Sequence, residues 1–393
     1  MALPIQYNLR NIFVRWRATF ATVLGVALVV AVFILVQSLA AGLEKSSRNT
    51  GDERNVMIVR QGSTAESSSQ VMREQYRLLR DLPEVARDAQ GQPLISADVI
   101  VLVNLPRRNQ GGESHVLVRG VSPRGLELRP QVSLVAGRWF TPGQREIVVS
   151  RRLAQRFENF NLGAQVSVGT RKLAVVGMLA AGNSAFDSEV WMDADEARSM
   201  FDREYYSSVL ARVADGATAE ALTKRIESNK QLPLNPIQET KYYASQTMTA
   251  LPIKILGGFL ATMMSVGAIF AAMNTMYASV AARTREIGTL RVLGYRRRTV
   301  LLTFIIEGTC LALLGGVVGG AVSYGLFALA QVVNYDMGIM SMDNWSETVF
   351  QFRITPLLLA EGLVFSILVG IVGSLLPAIR AARLPVINAL KSV

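Results

Sequence analysis

Side chains able to do covalent or metal chemistry are scarce in this chain. His115 and Cys310 are its single histidine and single cysteine, so neither a His-containing metal cluster nor an intrachain disulfide is expected, and a Cys nucleophile with a His base is disfavoured. None of the seven lysines (Lys45, Lys172, Lys224, Lys230, Lys241, Lys254, Lys391) follows a glycine. A Walker A loop, GxxxxGK[ST], is therefore absent, and the chain cannot cradle ATP in that way by itself. No catalytic residue, metal ligand or cofactor-binding residue is expected. Glu307 and Glu361 are acids inside long apolar runs, at similar depths from opposite ends. A proton relay asks for acids at matching depth, so pairing or snorkelling is the expected role. What remains is contact chemistry. Between two apolar runs, the basic stretch Arg283–Tyr295 carries Ile287, Leu290 and Leu293 at near-helical spacing. It offers a hydrophobic ridge flanked by charge, either an amphipathic turn that docks on a cytoplasmic protein or the positive flank of two membrane spans, and spacing alone leaves both open.

The elements that hold this stretch follow from composition. Of 393 residues, 50% are hydrophobic and 18% charged, with mean hydropathy +0.28, whereas soluble chains carry about 25% charged residues. Four long apolar runs, 18–43, 255–282, 300–335 and 354–379, each suffice for a helix crossing a hydrocarbon core that needs about 20 residues. The net charge of +11 is unevenly spread: 44–252 holds 27 basic and 24 acidic residues, while Arg10, Arg15, Arg17, then Arg283, Arg285, Arg291, Arg296, Arg297, Arg298, then Arg380, Arg383, Lys391 face only Glu286. Four spans put these three clusters on one side, cytoplasmic by the positive-inside rule. The expected order is a cytoplasmic lead-in 1–17, span 18–43, an outer domain 44–252, span 255–282, a cytoplasmic segment 283–299, span 300–335, an outer loop 336–353, span 354–379 and a cytoplasmic tail 380–393. A cleaved signal peptide fits poorly, because the first run exceeds the 7–15 residues of a signal core. Tyr7–Arg17 reads as an interfacial helix or as a plain charged flank.

The segment 44–252 reads as mixed α/β. Strands are expected at Asn55–Arg60, Ile95–Val103, His115–Val121, Arg145–Ser150, Lys172–Met178 and Ser207–Val213. Helices are expected at Gln70–Arg80, Arg151–Phe157, Ala194–Phe201 and Ala217–Ser228. Breaks near 105–115 and 205 suggest two lobes, one inserted in the other. Its near-neutral balance lacks the single-sign groove of a nucleic-acid site. Glycines such as Gly308, Gly315, Gly316, Gly319, Gly320, Gly362, Gly370 and Gly373 suit close helix packing in the third and fourth spans.

The stretch Arg285-Glu286-Ile287-Gly288-Thr289-Leu290-Arg291-Val292-Leu293-Gly294, of the form REIGxLRxxG, resembles the signature of the MacB/FtsX (type VII) family of ABC-transporter permeases. Three further stretches are similar to that family: the start, Asn8-Leu9-Arg10 with Arg15-Trp16-Arg17; the set Gly137-Arg138-Trp139-Phe140, Glu146-Ile147-Val148-Val149-Ser150 and Val175-Val176-Gly177; and the close, Pro377-Ala378-Ile379-Arg380-Ala381-Ala382-Arg383-Leu384-Pro385. The resemblance covers nearly the whole chain.

It implies an α-helical membrane protein with four transmembrane helices and a large extracytoplasmic α/β domain of two lobes between the first and second, in the bacterial inner membrane with both termini cytoplasmic. Two permease subunits, identical or not, would sit on a cytoplasmic ABC ATPase dimer that carries the ATP and Mg, surrounded by membrane lipids and served by an extracytoplasmic adaptor. MacB itself has its ATPase fused at the N-terminus; a chain that starts at the lead-in helix matches the split arrangement. The resemblance further implies that Arg285, Glu286, Ile287, Gly288, Leu290, Arg291, Leu293 and Gly294 touch the ATPase, with Pro377, Arg380, Arg383 and Pro385 at the same surface. Members move lipoproteins, lipids, peptides or drugs by mechanotransmission, in lipoprotein release or efflux. The alternatives are an FtsX-like regulator of a wall hydrolase, which transports nothing, and a membrane-anchored binding or sensor protein independent of ATP.

Overall fold

The computed structural model describes residues 16–108, 112–246, 250–332, 337–340, 347–350 and 354–384. In chain order it contains α1 (Trp16–Arg48), β1 (Asn55–Arg60), α2 (Arg73–Arg80), β2 (Ile95–Pro106), β3 (Glu113–Val121), α3 (Pro123–Glu127) and β4 (Ser133–Gly137). Next come β5 (Glu146–Ser150), α4 (Arg151–Arg156), β6 (Gln165–Val168), β7 (Arg171–Ala180), β8 (Glu189–Asp193), α5 (Ala194–Met200), β9 (Ser208–Arg212), α6 (Ala219–Glu227) and β10 (Leu234–Gln238). The chain continues through α7 (Glu239–Gln246), α8 (Ala250–Ala282), α9 (Thr284–Val292), α10 (Arg297–Val332), β11 (Met337–Met340), β12 (Glu347–Phe350) and α11 (Pro356–Ala382). These fall into a helical unit, residues 1–41, 252–335 and 352–393, and a second unit, residues 42–251 with 336–351.

Four helices are long and apolar enough to cross a membrane, over Thr19–Gly42, Ile255–Ala282, Arg297–Ala330 and Pro356–Ala382. Within the helical unit small residues let backbones meet. A Cβ at Gly315 or Gly319 would run into Val26 and Ala27 of α1, one at Gly316 into Ser366, and one at Gly308 into Ser374. Dispersion between tightly apposed backbones is the main attraction open to helices whose surroundings are as apolar as they are. Thr22 and Thr275 add a hydroxyl hydrogen bond of 2.7 Å between α1 and α8. The lead-in up to residue 15, with Asn8, Leu9, Arg10 and Arg15, lies outside the described residues. In the loop read between the last two spans, β11 and β12 pair antiparallel.

The second unit is built on one ten-stranded sheet, in the order β10-β1-β9-β2-β3-β8-β5-β7-β4, with β6 on β7. Ile95–Asp98 of β2 pair with β9, whereas Val99–Pro106 pair with β3. That switch divides the two lobes, and everything from β3 to β8 is inserted between β2 and β9. Of the polar stretch near 105–115, read as a lobe boundary, Leu105 and Pro106 pair with Ser114 and Glu113 of β3 within the inserted lobe. Val56 and Ile58 enter one core with Leu79 and Leu222, while Met57 and Val59 enter another with Leu179 and Trp191. Both faces of β1 are therefore buried, which explains its unbroken apolar run.

The lobe switch is surrounded by buried charge. Arg119 donates to Glu66 (2.9 Å to each oxygen), to Glu189 (2.7 and 2.9 Å) and to Asp98 (3.2 Å), and Arg129 also bonds Asp98. All five side chains are at most 5% exposed. The neighbouring carboxylates hold both guanidinium pKa values above their usual range against the desolvation that would lower them.

Candidate functional site: the basic segment between the second and third spans

Arg283 breaks the helical run after α8, and α9 carries the motif. Arg283 Nη1 donates to Glu307 Oε2 at 2.8 Å, so the acid in the third span is paired, as expected of it. Glu361, by contrast, stands exposed on α11 with no ion pair among the described residues.

At its far end α9 closes on a left-handed glycine. Gly294, at φ +92°, donates to the Arg291 carbonyl at 3.2 Å, and Tyr295 N–H reaches back to the Leu290 carbonyl at 3.1 Å. These bonds form a Schellman cap, whose C′ residue needs positive φ, and this accounts for the last glycine of REIGxLRxxG. Arg291 Nη1 adds a bond to the Tyr295 carbonyl at 3.2 Å.

The apolar ridge read from spacing does not hold as one face. Ile287 is buried among Met276, Val280, Phe304, Ala378 and Ala381 of the chain's own helices. Gly288 is buried beside it, Leu290 is half-buried, and the outward apolar residues are Val292 and Leu293, 59% and 69% exposed. Arg285 and Glu286 are exposed, as are Arg296, Arg297 and Arg298. Arginines at a helix N-terminus oppose the helix dipole, so this run at the start of α10 does nothing for that helix's stability.

The two sequence motifs converge, since Ala378 and Ala381 of the closing motif share the Ile287 core. Pro377 is buried within α11, Arg380 and Arg383 are exposed, and the Arg380 guanidinium lies 5.6 Å from the Tyr277 ring centroid. Pro385 falls outside the described residues. No group of three or more His, Cys, Asp or Glu that could hold a metal occurs among the described residues.

The three stretches of the α/β domain also meet. Gly137 and Gly177 are register partners on β4 and β7, and a Cβ on Gly177 would fall 2.2 Å from the Arg138 carbonyl oxygen. Arg138 Nη1 bonds Glu146 Oε2 at 2.7 Å and the Thr141 backbone N–H donates to the same oxygen at 2.9 Å; with the Arg138 bond as the largest cause, the Glu146 pKa falls from 4.5 to about 2.

Family models match most of the chain: a MacB-like periplasmic core domain over residues 19–229 and an FtsX-like permease C-terminal domain over 258–386. The uncharacterized ABC transporter permease YknZ of Bacillus subtilis is 28% identical over 298 residues, covering 71% of this chain and 70% of that protein. The macrolide export ATP-binding/permease protein MacB of Bdellovibrio bacteriovorus is 26% identical over 400 residues, 94% of this chain but 58% of its own length. The extracellular domain of YknZ from Gram-positive bacteria aligns with 47% of this chain and 99% of its own length at TM-score 0.35 and 15% identity. With both halves matched in order around the four apolar helices, the chain belongs to the MacB/FtsX family of ABC-transporter permeases.

Proposed function

We propose that this permease couples ATP hydrolysis by a separate cytoplasmic ABC ATPase dimer to movement of its α/β domain on the far side of the membrane, as one of two permease subunits. The observation that carries the reading is the pair of faces on α9: Ile287 anchors it among the chain's own helices, while Val292 and Leu293 stand exposed beside arginines. Such a surface suits a protein groove at a membrane boundary better than lipid or water alone. Residues 1–393 carry no Walker A lysine, and in this reading nucleotide binding belongs to the ABC ATPase. Both termini and 283–298 are cytoplasmic in this reading, from twelve basic residues against one acid.

Two experiments test it. The purified chain should hydrolyse no ATP, whereas reconstitution with its cognate ATPase should give activity that the permease modulates; turnover by the chain alone, surviving removal of contaminants, refutes the assignment. An impermeant thiol reagent applied from outside should label Ser68→Cys and miss Thr289→Cys. Reversed labelling overturns the sidedness.

A further inference from the structure

The α/β domain is joined to the first two spans by two segments, and one carboxylate ties them together. After α1 the chain passes Gly51 and Asp52 into β1; after β10 it turns at Glu239 into α7, which leads toward α8. β1 and β10 are antiparallel neighbours, Val56 opposite Gln238. Glu239 Oε2 accepts from the Asp52 backbone N–H at 2.9 Å and from Asn55 Nδ2 at 2.8 Å. Gln238 Nε2 donates to the Glu53 carbonyl at 2.8 Å. A Cβ on Gly51 would lie 2.7 Å from Thr240 N, so only glycine lets the two backbones come this close.

The arrangement is costly in a way that packing alone does not explain. Glu239 is fully buried, and its second oxygen, Oε1, has no hydrogen-bond partner. A well-packed apolar residue usually stabilises a fold as well as a buried charged group or better, while a charged group supplies a directional tie. Here the tie runs between the segment that follows α1 and the segment that leads toward α8, where the chain enters and leaves the sheet.

We propose that Glu239 is a positioning residue that fastens the segment after span one to the segment before span two, making a single foot through which displacement of either span reaches the sheet. The inference rests on the mechanotransmission reading. It predicts that the two segments keep a fixed separation through the ATPase cycle.

The test places spin labels at exposed Glu53→Cys and Lys241→Cys in a Cys310→Ala background and measures their separation by double electron–electron resonance. The full chain is studied alone and in its ATPase complex, nucleotide-free and trapped with ATP and vanadate. The expected result is one narrow distance within each permease subunit in every state, distances between subunits being identified from singly labelled chains. Glu239→Ala should broaden it in the isolated chain and add a second, longer population on trapping, whereas Glu239→Gln, which keeps an acceptor oxygen, should restore the narrow distance. A distance that changes on trapping in the otherwise unaltered chain overturns the proposal, as does a Glu239→Ala chain that keeps one narrow distance throughout. If Glu239→Ala fails to fold, broadening in Glu239→Asp, whose carboxylate is one methylene short, supports the clasp, and an unchanged distance refutes it. Failure of any ATPase to bind refutes the force-bearing role and the coupling reading together, while the isolated-chain distances still decide whether the clasp exists.

Discussion

Arg283 and Glu307 form an ion pair at 2.8 Å that ties the joint between the second span and α9 to the third span, with side chains only 10% and 7% exposed. A carboxylate in an apolar helix is tolerated because its counter-charge sits at the break between two others. Removing one partner of an enclosed pair costs about 3–5 kcal/mol. Glu307→Ala should therefore sharply lower the melting temperature of the detergent-solubilised chain, and replacing both residues, Arg283→Met with Glu307→Leu, should recover most of the loss.

Gly294→Ala tests the cap. No atom lies within 4 Å of an added Cβ, so the cost comes from φ +92° alone. Left-handed geometry disfavours L-residues by about 1–2 kcal/mol. The variant should be destabilised by that amount, Gly294→Asn by less, in thermal unfolding of the full chain.

Hydrogen bonds from Arg138 and Thr141, the former the larger cause, give Glu146 a folded pKa of about 2 against an ordinary 4.5. Because the folded value is the lower one, the stabilisation is complete above about pH 4.5 and disappears as pH falls toward 2. Arg138 is 55% exposed, so solvent screening keeps the contribution small. Glu146→Gln should be slightly less stable than the unaltered chain at neutral pH and equal to it only once pH has fallen below about 2.

At the lobe switch, Asp98 accepts from Ser96, Arg119 and Arg129. Asp98→Ala strips Arg129 of its carboxylate in a fully buried site, at a cost of about 3–5 kcal/mol. Hydrogen exchange should then speed up in β2, β3 and β9 ahead of β4 and β6, because the first three meet at that residue.

These relationships show where sequence is readable. β1 is visible as an apolar run buried on both faces, and α4 to α6 by their helix formers and caps. β8, Glu189-Val190-Trp191-Met192-Asp193, is not among the strands expected from sequence: acids bracket its three apolar residues, and the partner that makes Glu189 tolerable, Arg119, is seventy residues away. β10 was hidden by Pro236, which sits on an edge strand. Spacing left the motif segment open between a docking turn and a charged flank, and Ile287 is claimed by residues from three other helices, a packing that local periodicity does not encode. Glu239 carried no local signal at all, since its partners Asp52 and Asn55 lie at the opposite end of the domain's sequence.

If the outward residues at the end of α9 couple the permease to an ATPase, Leu293→Asp should abolish co-purification with the cognate ATPase. Leu293 is 69% exposed, so the substitution leaves the chain's own core intact. At a partner contact it buries an unpaired carboxylate, which costs about 3 kcal/mol or more, a loss of about a hundredfold in affinity. The predicted result is an inserted, stable permease that no longer retains the ATPase or modulates its turnover, while Thr289→Ala behaves as the unaltered chain. A Leu293→Asp permease that binds and modulates its ATPase normally would contradict the account.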